Sequence, residues 1–279
     1  MSKIIPHTID TLGAKLYYEV QGSGPLLLML AGGSGSADSF NALVPYLEQG
    51  YTVVTYDRRG YARSPLDNPE QVGVVSIETQ CADVERLLAE LDLKPAYVFG
   101  SSFGALVAIE LLQRNAQQLQ HVVAHEPQLT QLLPSDAAAD LEYKPNEAPE
   151  ETLRRFAASL GVKRSGLHGK GKQSDSHHAS NDRFFLEHEA PAVGDYRANF
   201  TELAKLKNKL TFAGGSEGRE YFPYQCARLA ADQIKASFVE FPGKHNGFGV
   251  YPEEFANVLK SLLIPLRQAQ SRSTTCFVN

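Results

Sequence analysis

A serine stands between two glycines in the run Gly100-Ser101-Ser102-Phe103-Gly104, after the apolar residues 96–99 and before a segment that is apolar nearly all round. A strand that turns abruptly into a helix forces the middle residue of G-x-S-x-G into a strained backbone conformation, and flanking glycines remove the Cβ atoms that would clash. Ser102 is thereby pushed out at the sheet edge as a nucleophile. The Phe103 amide, at a helix N-terminus, points where negative charge would develop on a substrate carbonyl. A second donor is expected from an earlier strand end, because 25–30 runs into Ala31-Gly32-Gly33-Ser34-Gly35-Ser36. Gly33 N–H is the candidate oxyanion donor and Gly32 shapes the turn. That run has neither G-x-G-x-x-G nor Walker lysine spacing, so a phosphate cradle is not expected.

A neutral serine hydroxyl is a weak nucleophile and needs a base within reach, and histidine has a suitable ordinary pKa. Of the eight histidines, His245 follows the strand-like run 237–241 through Pro242-Gly243-Lys244 and precedes Asn246-Gly247-Phe248-Gly249, a loop able to swing an imidazole over the sheet edge. His7 and His121 lie too early or on strands. His168, His177, His178 and His188, with Asp175 and Asp182, make a metal site conceivable, but no H-x-x-x-H on a clear helix supports one, and a solvated loop is the preferred reading. No metal and no cofactor are expected. A carboxylate must hold the imidazole tautomer. Glu126 and Glu217 both come shortly after strand-like runs and both satisfy the order serine, acid, histidine. The chemistry of such a set is acyl transfer, with Ser102 attacking a carbonyl.

The elements that would position these residues are short apolar or alternating runs between helix-like segments, the pattern of a mostly parallel central sheet with helices on both faces. Strands are expected at 14–20, 25–30, 51–56, 96–99, 119–124, 209–212 and 237–241. Helices are expected at 78–91, 103–115, 221–231 and 253–263, the last opened by Pro252. Between 127 and 206 the alternation stops, although 150–160 is helix-like. The expected organisation is therefore an α/β core of 1–126 and 207–267, a helical cap inserted at 127–206, and a frayed tail at 268–279. A polar, glycine-rich and serine-rich stretch, 164–181, is expected as a mobile loop. Phe156, Phe184, Phe185, Leu186 and Tyr196 are candidates to line an apolar pocket over the serine.

Composition narrows the partners. The chain of 279 residues is 43% hydrophobic and 21% charged, with a net charge of −5, and no basic stripe of the kind a phosphate backbone requires. Nucleic acid is not expected as a partner. No stretch approaches the roughly 20 apolar residues that span a bilayer, and the N-terminus lacks a signal-like apolar run. A cytoplasmic protein without membrane contact, monomer or homodimer, is expected. Cys81, Cys226 and Cys276 are expected as free, non-catalytic thiols. The ending Cys276-Phe277-Val278-Asn279 matches the C-a-a-X spacing, but its terminal Asn is atypical, and lipidation is not expected.

With these residues assembled, the chain resembles the α/β-hydrolase fold family over nearly its whole length. The run Tyr56-Asp57-Arg58-Arg59-Gly60-Tyr61-Ala62-Arg63-Ser64 is similar to the family's D-x-R-G-x-G-x-S turn, with Ala62 at the second glycine. Ala31-Gly32 stands where the family usually has His-Gly, which removes a side chain that often braces the oxyanion loop. Within the family, His125-Glu126-Pro127-Gln128 resembles the His-Glu-x-Pro of zearalenone-type lactonases, whose acid follows the sixth strand. Acyl-homoserine-lactone hydrolases take theirs after the seventh, which corresponds to Glu217. The resemblance favours Glu126; the spacing does not separate the two. It implies hydrolysis of a carboxylic ester or lactone of moderate size. Thioester, amide or carbon–carbon hydrolysis, perhydrolysis and a non-catalytic binding role share the same elbow. Serine at 102 rather than aspartate argues against dehalogenase or epoxide-hydrolase chemistry.

Overall fold

In the computed structural model, residues 4–92, 95–135, 137, 144, 147–163 and 177–263 are described. An eight-stranded sheet carries the fold, in the order β1-β2-β4-β3-β5-β6-β7-β8. β1 (Ile5–Thr11) pairs antiparallel with β2 (Ala14–Gly22), and β2 pairs antiparallel with β4 (Thr52–Tyr56). β3 (Leu26–Leu30), β4, β5 (Ala96–Ser101), β6 (Leu119–His125), β7 (Leu210–Gly215) and β8 (Ser237–Phe241) run parallel. The α/β expectation holds, with one addition. No strand was expected at β1, because as an edge strand it buries one residue of seven, Ile9, and carries no apolar alternation to read.

Along the central strands alternate side chains enter opposite cores. Leu26, Leu28 and Leu30 join Val98, Val122 and Phe212 beneath the helices α2 (Ile77–Leu91), α3 (Phe103–Asn115) and α8 (Phe222–Ile234). Leu27, Met29, Tyr97 and Phe99 face α1 (Val44–Leu47) and α10 (Pro252–Leu262) on the other side. Both faces being covered, β3 is an unbroken apolar run with every residue buried. α2 starts where the Ser76 side chain accepts from Thr79 N–H, an N-cap that satisfies one of the helix's orphan donors. Cys81 and Cys226 lie buried on α2 and α8.

Between β6 and β7 the described residues form no strand. They form α4 (Pro149–Ser159), α5 (His178–Phe184), a π-helical turn (Phe185–Glu189), α6 (Ala190–Asp195) and α7 (Phe200–Lys205). The stretch expected as a loop ends earlier than 181. His178 to Asn181 open α5, because Asn181 is buried with its Nδ2 donating to Ser34 O at 3.0 Å and its Oδ1 accepting from Ala62 N at 3.1 Å. The rest of that stretch, 164–176, lies outside the described residues, as do Cys276 and the tail 268–279. α9 (Gly247–Val250) links β8 to α10. No helix among the described residues is long and apolar enough to cross a membrane.

Candidate active site

The elbow follows from close packing at three backbones. A Cβ on Gly100 would sit 2.3 Å from Gly104 O, and one on Gly104 would sit 2.2 Å from Leu30 O. Glycine at both positions lets α3 start directly off β5 and pack against the end of β3. Ser102 between them has φ 56° and ψ −118°, a left-handed conformation costly for serine, and its N–H donates to His125 O at 2.9 Å. As the first residue of α3, Phe103 has an N–H with no intrahelical acceptor. Gly32 lies against the serine: a Cβ there would meet Ser102 Cβ at 3.1 Å. Gly33, next along the loop, would meet the Phe185 ring at 3.3 Å.

His245 and Glu126 come together from the ends of β8 and β6. The Nδ1 of His245 and Oε2 of Glu126 are 2.5 Å apart, and Glu126 Oε1 accepts Gly215 N–H at 2.8 Å. Glu126 is 2% exposed, with φ 50° and its N–H donating to Ala213 O at 2.8 Å, so the backbone turn after β6 aims the carboxylate sideways across β7. Burial by itself raises the Glu126 pKa. The hydrogen bond and charge of His245, helped by the His125 charge and the Gly215 amide, more than offset this and hold the carboxyl below the usual range. Glu217 is exposed, with its backbone N–H on Gly243 O at 2.9 Å. Of the two candidate acids, Glu126 is the one beside the imidazole.

Ser102 and His245 line one small chamber with Gly32, Gly33, Phe156 and Phe185, about 50 Å³ in volume. Next to it is a larger cavity of about 440 Å³, lined by Phe156, Phe185, Leu186, Gln128, Arg155 and Phe222 among others. Phe156 and Phe185, with ring centroids 5.6 Å apart, are the wall the two spaces share. Of the five residues expected over the serine, Phe156 and Phe185 line its chamber, Leu186 lines only the larger cavity, and two sit elsewhere. Phe184 packs edge-on to Tyr61, and Tyr196 donates its hydroxyl to Glu110 against α3.

Three of the remaining histidines, His121, His7 and His188, lie apart from the site. His121 is hydrogen-bonded to Thr211 Oγ1 at 2.9 Å, and burial lowers its pKa. His7 stacks on Tyr18, and His188 lies beside Phe184. His168 and Asp175 lie outside the described residues. The two described thiols are pushed up by burial, Cys226 to about 12, which keeps them protonated and unreactive.

The turn after β4 is locked by its charges. Asp57, fully buried, accepts from Ala37 N at 2.8 Å and Arg63 Nε at 2.6 Å, and Arg59 forms a two-pronged pair with Asp83. Ala62, at the position usually held by glycine, has φ 42°. Asp182, which the sequence offered only as part of a conceivable metal site and placed in a solvated loop, is a buried carboxylate on α5 that also lines the chamber; Arg58 and Glu189 were given no site role. No local signal marks Arg58 and Glu189 as partners, because they lie 131 residues apart in the chain.

Comparison with known proteins adds the family level. The family model described as alpha/beta hydrolase fold matches residues 25–266. The chain is 39% identical over 264 residues to an uncharacterized hydrolase, YraK, of Bacillus subtilis (strain 168), which covers 92% of this chain and 95% of that protein. Similarity to the zearalenone hydrolase of Bionectria ochroleuca is partial, 32% over 115 residues, or 41% of this chain and 44% of that one. A haloalkane dehalogenase loop variant, DbeA-M1, from Bradyrhizobium elkanii superposes with a TM-score of 0.71 over 97% of this chain and 99% of its own, at 17% identity. At that identity the likeness concerns the fold alone.

Proposed function

The chain belongs to the α/β-hydrolase fold family, and from that premise we propose that it is a serine hydrolase that opens a carboxylic ester or lactone through an acyl-enzyme on Ser102. His245 Nε2 takes the proton from Ser102 Oγ as the oxygen attacks the carbonyl carbon, and the π-electrons of the C=O move onto the oxygen. The amides of Phe103 and Gly33 stabilise that oxyanion. Collapse expels the alkoxide, which receives the proton from His245. In a lactone the alkoxide stays attached to the acyl group. Water, activated by the same imidazole, then releases the acid and frees Ser102. Glu126 keeps Nδ1 protonated and balances the imidazolium.

The observation that carries this reading is the 2.5 Å contact between Glu126 and His245 beside the strained Ser102 elbow, a constellation of acid, base and nucleophile that binding alone does not require. The 440 Å³ cavity beyond the chamber is in the range that holds small organic ligands, which supports a substrate of moderate size. The partial similarity to a zearalenone hydrolase supports a lactone among the esters to test.

Initial rates on a panel of aryl esters and lactones test the proposal, with each variant's fold checked by circular dichroism. Ser102→Ala is expected to abolish turnover. Glu126→Gln is expected to lower it by about 10⁴, and Glu217→Gln to leave it unchanged. Full activity in Ser102→Ala, or collapse of Glu217→Gln in place of Glu126→Gln, overturns the assignment.

A further inference from the structure

The loop that presents Gly33 has no histidine to brace it, since residue 31 is alanine. A buried cation holds it instead. Arg58, 1% exposed, donates from Nη1 to Ala31 O at 2.5 Å and to Gly32 O at 2.7 Å. Its Nε and Nη2 donate to the two carboxylate oxygens of Glu189 at 3.1 and 2.7 Å. Glu189 ends the π-helical turn between β6 and β7 and is itself fully buried, accepting also the Tyr61 hydroxyl at 2.6 Å and Gln80 Nε2 at 2.7 Å. The guanidinium carbon lies 4.6 Å from the Phe103 ring centroid. One cation therefore touches the Phe103 ring and the carbonyl end of the Gly32–Gly33 peptide, beside both amides that face the oxyanion in the proposed reaction.

Peptide geometry gives this contact a direct consequence. Gly32 C=O and Gly33 N–H belong to one planar trans unit, so the N–H points away from the carbonyl. Gly32 O also accepts the Gly35 N–H of the loop's own turn at 3.0 Å; the shorter, charge-assisted bond from Arg58 ties the same carbonyl to the core and so sets the direction of Gly33 N–H. A charge-assisted bond at the carbonyl also polarises the amide and makes its N–H a stronger donor. The anchor needs its counter-charge. Burial lowers the Arg58 pKa, but the Glu189 charge and hydrogen bonds outweigh that effect and keep the guanidinium protonated.

We propose that Arg58 and Glu189 are a positioning pair for the oxyanion loop: Glu189 orients the buried guanidinium, and its Nη1 holds the Gly32–Gly33 peptide with the N–H facing the substrate oxygen. The inference rests on the Ser102 reading, because the pair acts through that site.

Two single variants and one double variant test it. Arg58→Lys keeps a positive charge but cannot bridge Glu189 and two carbonyls, and Glu189→Gln keeps the shape but not the charge. Arg58→Met with Glu189→Gln removes both charges and leaves no charge unpaired, while the glutamine oxygen can still accept from Tyr61 and Gln80, so this variant avoids the stability cost of a broken pair, and its fold is checked by circular dichroism. Steady-state rates on one aryl ester, well below each melting temperature, are expected to show kcat lower by about 10- to 100-fold at unchanged KM in all three. That is less than the 10²- to 10³-fold loss of an entire oxyanion donor. The double variant is decisive, because a merely structural ion pair predicts wild-type kcat once the fold is retained. If Ser102→Ala is inactive and the folded double variant keeps wild-type kcat, the positioning role is overturned and the Ser102 reading stands. If Ser102→Ala remains active, the active-site reading fails, and the positioning role with it.

Discussion

Gly104 illustrates how much a single residue decides at this site. A methyl group there would be 2.2 Å from Leu30 O and 2.6 Å from Ala31 O, and backbone atoms cannot give way as a flexible side chain does. Gly104→Ala is expected to destabilise the fold by roughly 2 kcal/mol or more and to lower turnover further, because the strain falls on the strand end that leads into Gly32 and Gly33. Urea unfolding read alongside ester hydrolysis checks both effects. The elbow was legible in the sequence because its glycines and serine are adjacent. Arg58 was not legible as a brace. Its carbonyl partner Ala31 is 27 residues away and its carboxylate partner Glu189 is 131 residues away, and no local pattern links such positions.

Among the elements, α4 and the π-helical turn stand beside the serine. They contribute Phe156 and Phe185, the shared wall between a chamber of about 50 Å³ and a cavity of about 440 Å³. Phe156 is partly buried, so its truncation costs less stability than that of Phe185. Phe156→Ala is expected to raise kcat/KM for bulky aryl or long-chain esters relative to the acetate by roughly tenfold. An unchanged ratio across a chain-length series removes the wall from specificity. The stop in strand–helix alternation marked this region in the sequence, and Phe156 and Phe185 were among its aromatic candidates. Phe184 could not be told from Phe185 that way: neighbours on a helical turn face different surroundings, and the turn had to be seen to know which ring faces the chamber.

Across the whole molecule, the two cores and the site meet at His125. This residue ends β6, is fully buried among Phe99, Phe241 and Phe255, and among the described residues has no hydrogen-bond partner on either ring nitrogen. Burial lowers its pKa from 6.5 to about 4, with the Glu126 charge offsetting part of the effect. Between those values the unfolded chain binds a proton that the folded chain does not, so stability rises with pH through that window. The contribution is complete above about pH 6.5 and is lost as pH falls toward 4. From pH 7 to pH 5 the loss is about 2 kcal/mol from this group. His125→Leu is expected to shrink the difference in unfolding free energy between those two pH values by that amount. An undiminished difference in the variant assigns the acid sensitivity to other groups.

By itself the sequence determined the sheet's central strands, the helices on its two faces, the elbow at Ser102, the glycine loop at 31–33 and the histidine after the last strand. Each rests on a local cause: apolar periodicity, turn residues, or a glycine where backbones meet. It left two acids, since Glu126 and Glu217 each follow a strand and satisfy the same order along the chain. Tertiary structure put Glu126 beside His245 and left Glu217 in solvent. The parallel register of β6 against β7, His125 opposite Ala213, and the left-handed turn at Glu126 bring that carboxylate onto the imidazole. Strand register and burial are properties of segments far apart in sequence, and they exist only once those segments have packed.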